Sequence, residues 1–221
     1  MDTHVYIDGF NLYYSLFRGR NNRKNLSLKW LDLEGLTSSV VKRKYSKNEF
    51  KAIKYYTAHV SGKEDPGKPI RQQAYLNALD HCCDNLSIHY GNFKVDEAYR
   101  ATVNENGDLP NKVKVYLPEE KGSDVNLSSH MIWDAVREKY EVAVVLSNDT
   151  DLSEAFRIVN EEIGKKIILL QPSSLRKITA KSLRRYTFDT LYIERDDLMD
   201  NQLPLDIPNT SYHKPNLWKV D

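Results

Sequence analysis

The 221-residue chain carries 32 lysines and arginines against 31 aspartates and glutamates, a formal net charge of +1. That length fills one sizeable core, or one core with a small appendage. The charge balance excludes a globally polybasic surface, so any surface for a phosphate backbone must be local. The two cysteines, Cys82 and Cys83, are neighbours in a helical pattern and point to different helix faces, which predicts neither a local disulfide nor a metal pair. Met1-Asp2-Thr3-His4 runs into a strand without a signal-peptide pattern, and no apolar run approaches the ~20 residues that span a bilayer. The expectation is a reduced, cytoplasmic protein with no membrane contact.

In chain order, Val5-Tyr6-Ile7 reads as a central strand ending at Asp8-Gly9, followed by a helix from Phe10 to Phe17. Residues 18–25 are polar and basic, a loop. Leu31 to Val41 has helical spacing and Phe50 to Val60 reads as a strand, with the breakers of Ser61 to Pro69 forming a loop. A long helix is predicted over Ile70 to Leu86 and a strand over Ser87 to Lys94. The turn signal Asn104-Glu105-Asn106-Gly107-Asp108, flanked by two β-rich runs, predicts a β-hairpin inserted at about 95–120. Next come a helix from Asp124 to Tyr140, an apolar strand Val142 to Leu146, a helix Leu152 to Ile163 stopped by Gly164, and an apolar strand Lys166 to Leu170. A helix within Ser173 to Leu183 and a strand within Thr187 to Ile193 complete the main domain at about residue 195, and 196–221 reads as a proline-rich tail.

Strands that are apolar throughout and alternate with helices indicate an α/β fold whose mainly parallel sheet is covered on both faces, three layers in all. In such sheets ligands lie beyond the carboxyl ends of the strands. Asp8 and the Asp149/Asp151 pair fall at two such ends, and Asp124 opens a helix after Lys121-Gly122-Ser123. Each aspartate alone reads as a helix cap, with Ser123 the better cap beside Asp124. Together the acidic positions favour a metal centre, because carboxylates crowded on one rim repel and raise one another's pKa unless a hard cation such as Mg2+ or Mn2+ joins them.

Three segments carry a resemblance: Val5-Tyr6-Ile7-Asp8-Gly9-Phe10-Asn11-Leu12-Tyr13-Tyr14, Lys121-Gly122-Ser123-Asp124-Val125-Asn126-Leu127 and Leu146-Ser147-Asn148-Asp149-Thr150-Asp151-Leu152 resemble the three motifs of the NYN domain family, in its LabA/DUF88-like branch. The similarity extends to Lys29-Trp30-Leu31-Asp32-Leu33, to the stretch from Pro66 to Gln73, to His89-Tyr90-Gly91-Asn92-Phe93 and to His213-Lys214-Pro215 with Trp218. It implies a PIN-like fold and metal-dependent ribonuclease activity, with Asp8, Asp124, Asp149 and Asp151 in the acidic positions and Asn11 in the polar position of the first motif.

The residue types suit phosphodiester hydrolysis, which needs a nucleophile at neutral pH and relief of charge on the phosphoryl and leaving oxygens. Asp8, Asp124 and Asp149 would bind metal directly, and Asp151 a second ion or a water. Asn11 and Asn148 would bind water or a phosphate oxygen, and Ser147 or Thr150 would fix a carboxylate. For RNA, single-stranded or structured such as tRNA, the local cations are Arg18, Arg20, Arg23 and Lys24 after the first motif, Lys63, Lys68 and Arg71 after the second strand, and Lys121. Tyr13, Tyr14 and Trp30 would stack on bases, or pack as core. Arg176, Lys177, Lys181, Arg184 and Arg185 read as surface or partner-facing. The six histidines show no zinc spacing. A haloacid-dehalogenase-like phosphatase would want a second Asp where Phe10 stands, and a non-catalytic RNA-binding or regulatory module keeping Mg2+ structurally is the alternative from another class. Whether the hairpin and tail make a homodimer is left open.

Overall fold

The computed structural model describes residues 1–17, 26–63, 65–102, 112–172 and 180–219. Six strands form one parallel sheet: β1 (Asp2–Asp8), β2 (Glu49–Thr57), β3 (Leu86–Tyr90), β6 (Val142–Leu146), β7 (Lys166–Gln171) and β8 (Asp189–Tyr192). Their order is β3-β2-β1-β6-β7-β8. The chain winds outward from β1 in one direction, then crosses back to pair β6 on its other side, with Ile7 opposite Leu146. The point where the winding reverses therefore lies between the carboxyl ends of β1 and β6, where an open α/β sheet leaves a crevice.

Continuous apolar strands occur here because both sheet faces are buried. Val142, Val144 and Leu146 of β6 point into one core with Val5 and Ile7 of β1 and Ile168 and Leu170 of β7. Ala143, Val145, Tyr6, Ile167 and Leu169 point into the other. Helices α1 (Gly9–Phe17), α2 (Leu33–Lys42) and α3 (Gly67–Cys82) contribute to the first core, and α4 (Ser123–Val136) and α5 (Ser153–Arg157) to the second. The three-layer α/β architecture expected from the sequence is thus present. Hairpin strands β4 (Asn92–Ala101) and β5 (Lys112–Lys121) pair antiparallel as a separate two-stranded sheet.

Several boundaries differ from those expected, some for local reasons and one for a distant contact. The third helix starts at Gly67 rather than Ile70, because Pro69 is tolerated in a first turn where its missing N–H has no partner to lose. The run Ser87 to Lys94 splits at Gly91 between the end of β3 and the start of β4. A Cβ at Gly91 would lie 2.3 Å from Glu120 Oε1 and 2.9 Å from Lys121 O, so the hairpin base closes only around a glycine. The segment from Thr150 to Glu162 is a 3-10 turn, then α5, then a π-helical turn, and Gly164 ends it with φ +78. The last short helices are α6 (Lys181–Arg184) and α7 (Arg195–Asp200), and the expected helix start at Ser173 lies outside the described residues.

The segment after 195 is integrated with the main core. Leu198, Leu203, Ile207 and Trp218 are buried in the first core, and Trp30 stands 6.2 Å, ring centre to ring centre, from Trp218. Trp30 itself is fully buried, its indole N–H donating to the Pro204 carbonyl at 2.8 Å, so the base-stacking alternative for it is overturned. Cys82 is exposed and Cys83 buried, both free. No described helix is long and apolar enough to cross a membrane.

Candidate metal centre

Asp8 ends β1 and is 3% exposed. Its Oδ1 accepts the Asn11 N–H at 2.9 Å and its Oδ2 accepts the Ser147 hydroxyl at 2.9 Å. The first bond is the helix cap foreseen as the bland role of this aspartate, and the second ties β1 to the loop after β6. The Ser147 oxygen in turn accepts the Asp149 N–H at 3.1 Å, and the Asn148 N–H donates to the Asn11 side-chain carbonyl at 3.0 Å. Asp149 caps the 3-10 turn by accepting the Asp151 N–H at 3.0 Å. The first and third motifs are thus one hydrogen-bonded unit, in which the capping aspartates keep an oxygen or further lone pairs for other ligands.

Asp124 arrives from a third direction. Ser123 is the first residue of α4, and the preceding Gly122 stands in the left-handed region with φ 95. Ser123 does not cap the helix, contrary to the expectation; instead its N–H and hydroxyl both donate to the Glu120 carboxylate, at 3.0 and 2.6 Å. That contact fixes the first turn of α4 to the end of β5. Asp8, Asp124 and Asp149 then offer carboxylate oxygens that all lie within 4.8 Å of one another.

The carboxylates of this group raise one another's pKa values. Burial, with the charges of Asp124 and Asp149, pushes the Asp8 carboxyl up to about 7, against the lowering effect of the Asn11 N–H and Ser147 hydroxyl. Burial and the carboxylates of Asp149, Glu120 and Asp151 push Asp124 up to about 6. Among the described residues no lysine or arginine forms an ion pair with any of the three. A hard divalent cation suits such an all-oxygen donor set, and Asp8, Asp124 and Asp149 are the residues that would hold it.

The remaining predicted residues divide. The Asp151 side chain is exposed and outside the trio, where its charge helps raise Asp124, while its backbone N–H donates to Asp149. Asn148, expected to face water or phosphate, uses its side-chain carbonyl to accept from Gln171 Nε2 at 2.8 Å and the Ala180 N–H at 2.9 Å, tethering the loop to β7. Thr150 is exposed at the start of the 3-10 turn, whereas Ser147 holds a carboxylate as foreseen. Arg18, Arg20, Arg23 and Lys24 lie outside the described residues. Lys63 lies 5.3 Å from the Tyr116 ring centre on the hairpin, and Arg71 pairs with Asp65. Lys68 is exposed, and Lys121 ends β5 next to the Gly122 turn. Tyr13 and Tyr14 are in edge contact, with Tyr14 42% exposed.

Sequence reasoning missed Glu120 and Gln171. Glu120 sits directly before the second motif, a signal hidden by reading it as ordinary hairpin sequence. Gln171 closes an apolar strand, and nothing in the sequence ties it to Asn148.

No family model matches the chain. It is 27% identical over 245 residues to 6-hydroxy-3-succinoylpyridine 3-monooxygenase HspA of Pseudomonas putida (strain DSM 28022 / S16), covering 98% of this chain and 75% of that protein. A protein of unknown function from Vibrio parahaemolyticus RIMD 2210633, VPA0982, has a similar fold in its crystal structure, with a TM-score of 0.53 over 88% of this chain and 94% of that one at 16% identity.

Proposed function

We propose that the chain is a metal-dependent ribonuclease of the NYN type that hydrolyses RNA phosphodiester bonds at the Asp8/Asp124/Asp149 rim. The observation that carries this reading is the convergence of three carboxylates from three motifs within 4.8 Å at the switch point of a parallel sheet, without a described cation to neutralise them. Mg2+ or Mn2+ bound there would neutralise charge on the phosphoryl group and lower the pKa of an attacking water. The chain's own residues set the geometry: Ser147 and Asn11 hold both oxygens of Asp8, Ser147 orients the backbone of Asp149, and Glu120 anchors the turn bearing Asp124. Asp151 stands exposed at the margin, suited to a second ion or to accepting a proton from water.

The test is cleavage of labelled RNA in Mg2+ or Mn2+, with chelator as control. Asp8→Asn and Asp149→Asn should each abolish cleavage, at least about a thousandfold, while the far-ultraviolet circular dichroism stays native. Full cleavage by either purified variant would sink the reading. A non-catalytic RNA-binding or regulatory module that keeps Mg2+ structurally would instead gain thermal stability from the metal and never cut RNA.

The similarity to HspA supports the coarser reading that the chain is an enzyme, and it favours a second specific one, oxygenation of an aromatic ring. The rim itself suits this less well. Its three donors are carboxylates, and no described histidine joins them to make the two-histidine, one-carboxylate set of non-haem iron oxygenases. Oxygen uptake on a hydroxypyridine, with the usual reduced nicotinamide and flavin donors added, separates the two readings.

A further inference from the structure

On the opposite side of the sheet from α4, a cavity of about 330 Å3 opens at the same rim, lined by Gly9 and Phe10 directly after Asp8 and by Thr57 at the end of β2. Its size is that of a small-ligand site. A Cβ at Gly9 would lie 2.6 Å from the Tyr56 carbonyl and 2.7 Å from the Tyr55 ring, so α1 packs directly on β2 at the floor of the cavity. The walls are aromatic: Tyr13 and Tyr14 from α1, Tyr55 below, Tyr75 from α3, and Trp218 from the C-terminal segment. Tyr14, 42% exposed, adds its ring to this wall beside Tyr13.

The mouth is positively charged. Among the described lining residues, Lys29, Lys68 and Arg71 stand against one carboxylate, Asp65, which pairs with Arg71. Lys29 Nζ is oriented by the Tyr13 hydroxyl at 3.2 Å and by the rings of Tyr13 and Trp218, 4.9 and 5.8 Å to their centres. Lys68 forms no side-chain ion pair among the described residues. An excess of cations over an aromatic slot matches a flat ring with a negative substituent.

We propose that this cavity binds a planar aromatic ring bearing an anionic group, the ring against Tyr14 and Trp218 and the anion at Lys29 and Lys68. Two sources share that chemistry, a nucleotide unit of RNA and a free aromatic carboxylate. Isothermal titration of the full chain in EDTA, with uridine 5'-monophosphate, 4-hydroxybenzoate and neutral uridine as probes, tests it without involving the metal centre. Success or failure here is therefore independent of whether the rim cleaves RNA.

At least one anionic probe should bind one-to-one, tighter than about 1 mM. Binding of the nucleotide alone assigns the site to RNA, and binding of the benzoate alone to a free small molecule. Combined Lys29→Gln and Lys68→Gln should weaken it about tenfold or more. Val60→Trp, which fills the cavity from its rim, should remove binding with an unchanged melting temperature. No binding of either anion, equal binding of uridine, or unaltered affinity in the folded variants would overturn the proposal.

Discussion

Helix α4 carries two acidic side chains with opposite fates. Asp134, near its carboxyl end, accepts hydrogen bonds from the Tyr6 hydroxyl at 2.7 Å and Lys54 Nζ at 2.5 Å, and faces His4 Nδ1 at 3.4 Å. Burial alone would raise its pKa, but these three partners and the Lys54 charge hold the carboxyl far below the usual carboxylate range. Asp124, in the first turn, is pushed up by burial and by the carboxylates of Asp149, Glu120 and Asp151, and Asp8 is pushed up as well. The difference teaches what each cluster is for. The Asp134 cluster is compensated by its own neighbours and serves the fold, whereas the rim carboxylates have no such partner among the described residues, which is what the proposed cation would supply.

The comparison can be broken by mutation, and the largest effect is expected on activity. Asp8→Asn and Asp149→Asn remove cleavage as stated above, yet Asp8→Asn should leave the metal-free protein as stable as wild type or more so, because it deletes an unpaired buried charge. Asp134→Asn should do the reverse. Leaving Lys54 without its carboxylate costs about 3 kcal/mol in urea unfolding, while cleavage per folded molecule stays within about twofold. Equal destabilisation by both substitutions would erase the distinction.

The pH dependence sharpens it further, because the two signs are opposite. Asp8 titrates near 7 in the fold against an ordinary value of 3.8, so the unfolded chain releases its proton first and stability falls as pH rises from about 4 to about 7. Asp134 is lowered in the fold, so its contribution is present above its ordinary value and is lost as pH falls below it. Urea melts in EDTA between pH 4 and 7.5 should show that the wild type loses stability relative to Asp8→Asn as pH rises, by up to about 4 kcal/mol. Saturating Mn2+ should reduce or reverse that loss at the upper end. A pH-independent difference between the two proteins would contradict the assigned burial of an unpaired charge.

Smaller effects should grade the rim. Ser147→Ala frees one Asp8 oxygen and the Asp149 N–H, and should lower cleavage about tenfold and stability by about 1 kcal/mol. Asp151→Asn, exposed and outside the trio, should lower cleavage less than about tenfold. If Asp151→Asn matches Asp8→Asn in severity, the exposed carboxylate has a direct part in the chemistry.

Much of this was legible because periodicity and breakers act locally. The strand runs at Val5, Val142 and Lys166 and the stop at Gly164 all appear where their patterns put them. Boundaries failed where a distant contact intervened: Gly91 is needed by the approach of Glu120 and Lys121, and Trp30 and the tail from Leu198 to Trp218 meet in one core although far apart in sequence. The site followed the same division. Asp8, Asp124 and Asp149 could be named from their motifs, but Glu120 anchoring Ser123 and Gln171 turning Asn148 aside could not.

By itself, then, the sequence determined the layered α/β plan and the acidic residues at strand and helix ends, since alternating burial and chain reversal are written in neighbouring residues. Only the tertiary structure decided that three carboxylates lie within 4.8 Å while Asp151 stays outside, and that Asp134 on the same helix is neutralised. Charge compensation depends on which groups from distant strands share a few ångströms of buried space, and sequence spacing carries no record of that distance.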